Sequence, residues 1–151
     1  MKKAFTMVEL VFVIVVIGIL SAVAVPKLAP IVSDAKDAKG KATLSSVRSA
    51  ISTQRQKLIL QGTFGGITKL RNGNTGVFTK FVYKDSSGNE VNGSNVLDYD
   101  LPTTCAGNGC WSTSNGITYT YTRPGIDCTF KLKKNRFVDE TNGGCTELLT
   151  Q

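Results

Sequence analysis

The sequence predicts an α+β protein: a long N-terminal α-helix packed against a small antiparallel β-sheet domain. Three observations predict it. Phe5 to Val25 is a nearly unbroken apolar run, about as long as a helix needs to cross a bilayer, roughly 20 residues at 1.5 Å each. Between Ile31 and Gln61, apolar residues recur at three- and four-residue steps, the period of one helix face. Beyond Gly76, short runs of aromatic and β-branched residues alternate with Gly, Asn, Ser and Pro, the pattern of strands joined by turns.

The apolar run opens behind Lys2 and Lys3 and is interrupted by Thr6, Glu9, Gly18 and Ser21. Glu9 is the costly one. A charge inside a bilayer costs about 2.5–3.5 kcal/mol on insertion scales, less near the interface. The residues alone allow a secretory signal, with Ala22-Val23-Ala24 as a small-x-small cleavage site and Val25 as the mature N-terminus. They also allow a plain membrane anchor. Neither reading gives Glu9 a task, and a glutamate snorkelling to the headgroups is a third account of it.

Pro26 and Pro30 follow the run. Each removes a helical hydrogen bond and crowds the carbonyl one turn back, so a bend or local opening is expected, with Pro26 as the kink. Ile31, Ala35, Ala38 and Ala42 form a small-residue face. Leu44, Val47, Ile51 and Leu58, with Gln54 at the intervening step, form the stripe expected to receive the domain. Asp37 and Lys41 are placed for an i, i+4 pair. Gly62 is expected to cap the helix in the left-handed conformation.

Thr63 to Gly76, with Gly65-Gly66 and Asn72-Gly73-Asn74, is expected to be an irregular connection; it has neither the Gly-Lys-Ser/Thr ending nor the preceding strand of a phosphate loop. Strands are expected at Val77–Lys84, near Glu90-Val91, at Ile117–Thr122 and at Ile126–Lys133. The last would turn Ile126, Cys128, Phe130 and Leu132 inward, and Phe137-Val138 would add an edge.

All four cysteines, Cys105, Cys110, Cys128 and Cys145, lie in the last third, behind a membrane or export segment. An even number there reads as disulfides in an oxidising compartment, with three connectivities open. Short loops close most easily, which favours Cys105–Cys110 and Cys128–Cys145. The spacings lack the paired pattern of a zinc site. Trp111 is expected either to pack over the first disulfide or to stand exposed as a subunit contact. The chain has no histidine, so Ser-His-Asp and Cys-His devices are absent and no enzyme is expected. The net charge of +7 has its densest cluster at Lys131, Lys133, Lys134 and Arg136. That strand is either a solvated face or a contact for DNA, although no stacking aromatics interleave it.

Lys2-Lys3-Ala4-Phe5-Thr6-Met7-Val8-Glu9-Leu10, running into the apolar helix and Pro26, resembles the class III leader and helix of type IV pilins and type II secretion pseudopilins. The resemblance covers about the first thirty residues. It implies cleavage between Ala4 and Phe5 by a prepilin peptidase and N-methylation of Phe5. Ala4 departs from the family's usual Gly before the cut. Glu9 becomes the fifth mature residue, where the family carries its glutamate, and takes an assembly role: it would meet the new amine of a neighbouring subunit and fix axial register. The resemblance also implies that the small-residue face of Ile31, Ala35, Ala38 and Ala42 would meet neighbouring subunits.

The implied organisation is leader 1–4, transmembrane and filament-core helix 5–25, amphipathic helix 26–61 and β domain 62–151. The implied function is a structural filament subunit for secretion, adhesion, motility or DNA uptake. Before assembly it would sit in the inner membrane as a single-pass protein with its domain in the periplasm. Its partners would be further copies or other pilin-like subunits, the peptidase, an inner-membrane assembly platform and lipid. No cofactor is expected. Similar pseudopilins bind calcium, but here only Asp98 and Asp100 offer themselves, without the surrounding ligand spacing. The rival class is a secreted disulfide-containing binding domain released after Ala24.

Overall fold

The computed structural model describes residues 5–73, 75–99, 101–102, 105–141 and 145. Helix α1 spans Met7–Leu60 and carries both Pro26 and Pro30 inside it. It begins two residues later than Phe5 because Thr6 caps it: Thr6 Oγ1 accepts the Glu9 N–H at 3.3 Å, which satisfies one of the orphan donors of the first turn. At the other end Gly62 adopts φ +72°. Its N–H reaches the Ile59 carbonyl at 3.0 Å and the Thr63 N–H reaches Leu58 at 2.8 Å. This paired closure is a Schellman motif, and it needs the left-handed residue that glycine supplies without strain.

The chain divides into two compact units, one ending at Ala35 and one beginning at Lys36. In the first, the large apolar side chains from Phe5 to Val32 are exposed. In the second, Leu44, Val47, Ile51 and Leu58 are buried, as is Gln54, whose Oε1 accepts a bond from Ser94 Oγ at 2.9 Å. A polar group on the buried stripe is tolerated because it has found a partner.

Seven strands follow: β1 Ile67–Lys69, β2 Lys80–Lys84, β3 Glu90–Asn95, β4 Cys110–Thr113, β5 Thr118–Thr122, β6 Cys128–Lys133 and β7 Arg136–Asp139. They make two antiparallel sheets, β1-β2-β3 and β4-β5-β6-β7. Strand β1 lies in the stretch expected to be irregular, and β4 in the cysteine loop. The first strand of the aromatic region is shorter than expected: β2 starts at Lys80, and Val77 and Phe78 precede it. Ile126 is a correction, since β6 starts at Cys128 and Ile126 is 47% exposed in the turn. The alternation holds from Cys128 onward, with Cys128, Phe130 and Leu132 buried.

Lys134 and Asn135 join β6 to β7, both at positive φ. That is the backbone of a two-residue hairpin whose twist matches its strands. Asn135 also ties the sheets, its Oδ1 accepting the Ile67 N–H at 2.6 Å. An aromatic cluster fills the space between. Phe78 stacks on Tyr119 at 4.3 Å between centroids, and Trp111 contacts Phe78, Tyr121, Phe130 and Phe137. Trp111 is therefore a core residue, and the exposed-contact reading of it is wrong. Both disulfides, Cys105–Cys110 and Cys128–Cys145, are formed, with Cα separations of 5.5 and 5.6 Å.

Candidate assembly site

The N-terminal unit presents Phe5, Thr6 and Glu9 at the start of a helix whose apolar side chains have nothing packed on them in the single chain. An apolar surface this continuous is stable only when lipid or another protein covers it. Glu9 is exposed in the first turn of α1, where a carboxylate also complements the positive end of the helix dipole. Thr6 was not singled out in the sequence, yet its signal was present: Thr6-Met7-Val8-Glu9 has the Ser/Thr-x-x-Glu spacing of a capping box. Ala4 lies outside the described residues. Pro26 and Pro30 are themselves four apart. The bonds they cannot donate are those to the carbonyls of Ala22 and Pro26, successive rungs on one side of the helix.

In the second unit the stretch of α1 that opens it, at Lys36 and Asp37, is held from the sheet side. Tyr121 Oη donates to the Lys36 carbonyl at 2.5 Å. Arg123 makes a two-pronged ion pair with Asp37, its Nε donating at 2.8 Å to Oδ1 and its Nη2 to Oδ2. The fork geometry adds direction as well as energy. Asp37 thus pairs with Arg123 rather than with Lys41. Gly40 is the reason the phenol can approach, since a Cβ there would stand 2.6 Å from the Tyr121 Cζ.

The pair with Asp37 holds the Arg123 pKa above its ordinary value. Burial, reinforced by the negative charge of Asp37, raises that of Tyr121. Burial likewise raises Tyr119, whose hydroxyl donates to the Gly116 carbonyl at 3.0 Å. The unfolded phenols ionise near pH 10, whereas the folded ones keep their protons beyond that. Their contribution to stability is whole below about pH 10 and is lost as pH rises through the folded values. Denaturant midpoints taken between roughly pH 9 and pH 11 should therefore fall, and Tyr121→Phe should make that fall shallower.

Among the described residues no group of three or more His, Cys, Asp or Glu is placed to hold a metal. Asp98 is exposed, and Asp100 lies outside the described residues. Of the basic cluster, Lys133 is paired with Glu140 at 2.5 Å, Lys131 is half-buried, and Lys134 and Arg136 are exposed.

Compared with known proteins, the chain is 33% identical over 135 residues to the type IV narrow pilus major component PilA5 of Thermus thermophilus. The match takes in 88% of this chain and 97% of that protein. The chain belongs to the type IV pilin family. No family model matches this pilin, and no solved structure does. The likeness is not confined to the leader and anchor. A match over 88% of the chain extends well into the β domain.

Proposed function

We propose that this pilin is a structural subunit of a type IV pilus-like filament, of the class that serves secretion, adhesion, motility or DNA uptake. One observation carries the reading beyond family membership: a carboxylate, Glu9, sits at the head of an exposed apolar helix that a secretory cut after Ala24 would discard. A prepilin peptidase removes residues 1–4 between Ala4 and Phe5 and methylates Phe5. Residues 5–25 are held in the inner membrane by lipid and then transferred to the filament core, with Pro26 as the point where the helix yields. Residues 26–61 carry the domain 62–151, which faces the periplasm before assembly. In the core, Glu9 of one subunit pairs with the amine of Phe5 on a neighbour. A buried carboxylate is tolerated when it is paired in this way. Further copies, other pilin-like subunits and an inner-membrane assembly platform are the partners.

Intact-mass measurement of the subunit in sheared filaments tests the reading. The expected mass is that of a chain beginning at Phe5 and bearing one methyl group. A chain beginning at Val25, recovered as a soluble secreted protein, would replace the filament subunit with a released binding domain.

A further inference from the structure

Two grooves flank the buried stripe of α1 in the unit that begins at Lys36. At about 100° per residue, Arg48, Ser52 and Arg55 fall on one side of Leu44, Val47, Ile51 and Leu58, and Ser46, Ala50 and Thr53 fall on the other. The first groove, of about 630 Å³, lies between α1 and the edge strand β7. Ile51, Phe137 and Val138 supply its apolar lining, and Arg48, Arg55 and Arg136 its charge. Arg48 Nε donates to the Phe137 carbonyl at 3.3 Å, and Arg55 Nη1 donates to the Gly65 carbonyl at 2.8 Å. Each guanidinium has five N–H donors, so both retain capacity for an anion. Arg136 is exposed, and its guanidinium makes no hydrogen bond or ion pair among the described residues.

The groove's acidic residue is Asp139, whose charge supports that of Arg48. It does not offset burial, which still lowers the Arg48 pKa. Three guanidinium groups against one carboxylate leave a net positive trough with an apolar floor.

The complementary feature is on the opposite flank. After β3 the chain buries Val96 and Leu97, then turns Asp98 and Tyr99 outward, with Tyr99 51% exposed. Neither makes a hydrogen bond or ion pair among the described residues. The buried pair beneath them, with the Val96 N–H on the Thr79 carbonyl at 3.3 Å, fixes the base of this knob. A large amphipathic ring beside a carboxylate matches an apolar floor beside guanidinium groups. Tyr and Arg are also the residue types that most often dominate interface energetics.

Removal of residues 1–4 takes Lys2 and Lys3 from the +7 of the full chain and leaves it still strongly basic, so copies repel one another unless opposite charges are brought together locally. We propose that the Asp98–Tyr99 knob of one copy seats in the Arg48, Arg55 and Arg136 groove of a neighbouring copy. Because knob and groove are different surfaces on opposite flanks of α1, the contact is heterologous. A heterologous contact cannot close a two-fold dimer, and unless its rotation closes a ring it repeats into an open helical polymer. This contact between domains deepens the filament-subunit reading and rests on it.

The test uses the full chain, expressed with its assembly machinery, and filaments sheared from the cell. A photo-crosslinking benzoylphenylalanine replaces Tyr99, and the adduct is mapped by mass spectrometry. The expected adduct joins position 99 to the segment from Asn135 to Asp139 of another copy. In parallel, Asp98→Arg and Arg136→Glu should each lower filament yield about tenfold or more, and the double reversal should restore most of it.

Adducts elsewhere on a second copy, or on a different protein, overturn the proposal. So does unchanged yield from both single reversals. Binding of a fluorescent DNA duplex by wild-type filaments that is lost in Arg136→Glu, with no adduct in the groove, would make the groove an open polyanion site and also overturn it. Absence of filaments from the unaltered chain would instead sink the filament reading itself, so the two failures are distinguishable.

Discussion

Gly40→Ala is expected to destabilise the domain by about 1–3 kcal/mol, against the direction that helix propensity alone gives. Alanine in a helix interior is ordinarily the better residue by roughly 0.8–1 kcal/mol. At this position the added Cβ would stand 2.6, 2.8 and 2.9 Å from Tyr121 Cζ, Cε1 and Oη. The ring cannot retreat easily. Its hydroxyl is bonded to the Lys36 carbonyl, and its other side meets Trp111 with centroids 5.0 Å apart.

Either the helix shifts away from β5 or the phenol gives up its bond, and both loosen the grip that also holds Arg123 on Asp37. Thermal unfolding followed by circular dichroism should show a midpoint several degrees lower, since 1 kcal/mol is worth about 2–8 °C over this size range. In the background of Tyr121→Leu the same alanine should cost markedly less, because the atoms it strikes are gone. A raised midpoint for Gly40→Ala would show that the approach of Tyr121 to the helix is not tight.

Glu9→Ala is expected to abolish filaments while leaving the subunit otherwise intact. The cap does not depend on the carboxylate, because Thr6 Oγ1 accepts the backbone N–H of residue 9. Alanine keeps that bond and favours the helix. Glu9 also lies in the unit that ends at Ala35, so the unfolding midpoint of the domain should not move. On the proposed pairing, what is lost is the partner of a neighbour's amine in an apolar core. An unpaired buried charge costs about 3–5 kcal/mol, which at tenfold per 1.4 kcal/mol corresponds to a fall in assembly of more than about a hundredfold. Sheared-filament yield, with intact mass showing the same mature N-terminus, is the measurement. Wild-type yield would show that Glu9 serves only the helix end.

The features legible in the sequence are those set by local periodicity and local turn chemistry. The stripe Leu44, Val47, Ile51, Gln54 and Leu58 shows itself through its spacing, even with a polar residue at one step. Gly62 shows itself by closing that period. Phe5, Glu9 and Pro26 stand out because residues 2–10 and the apolar run behind them have a recognisable order, and the roles read from it belong to the proposed function. Other features depend on partners far along the chain. Asp37 looks like half of an i, i+4 pair until Arg123, 86 residues later, claims it.

Gly40 reads as a weak point in a helix, whereas it is the clearance through which Tyr121 reaches the backbone. Strand β1 is three residues between glycine-rich turns and becomes a strand only by pairing with β2. Strand β4 emerges from the cysteine loop because Cys110 to Thr113 pair in register with Thr122 to Tyr119. Ile126 obeys the alternation of β6 but sits before its first ladder pair, Tyr121 with Cys128, so period alone placed it on the wrong side.

The aromatic cluster has an optical consequence. Trp111 is the only tryptophan in the chain. It is 4% exposed, and its indole Nε1 has no hydrogen-bond partner among the described residues. Its fluorescence therefore arises from one dry, ring-lined environment in the β domain, with no contribution from the apolar helix. Emission excited through the indole reports the state of the domain by itself, whether the helix is in detergent, in lipid or packed among its neighbours. The domain's integrity can then be checked without a label in each of those surroundings, independently of what covers the helix.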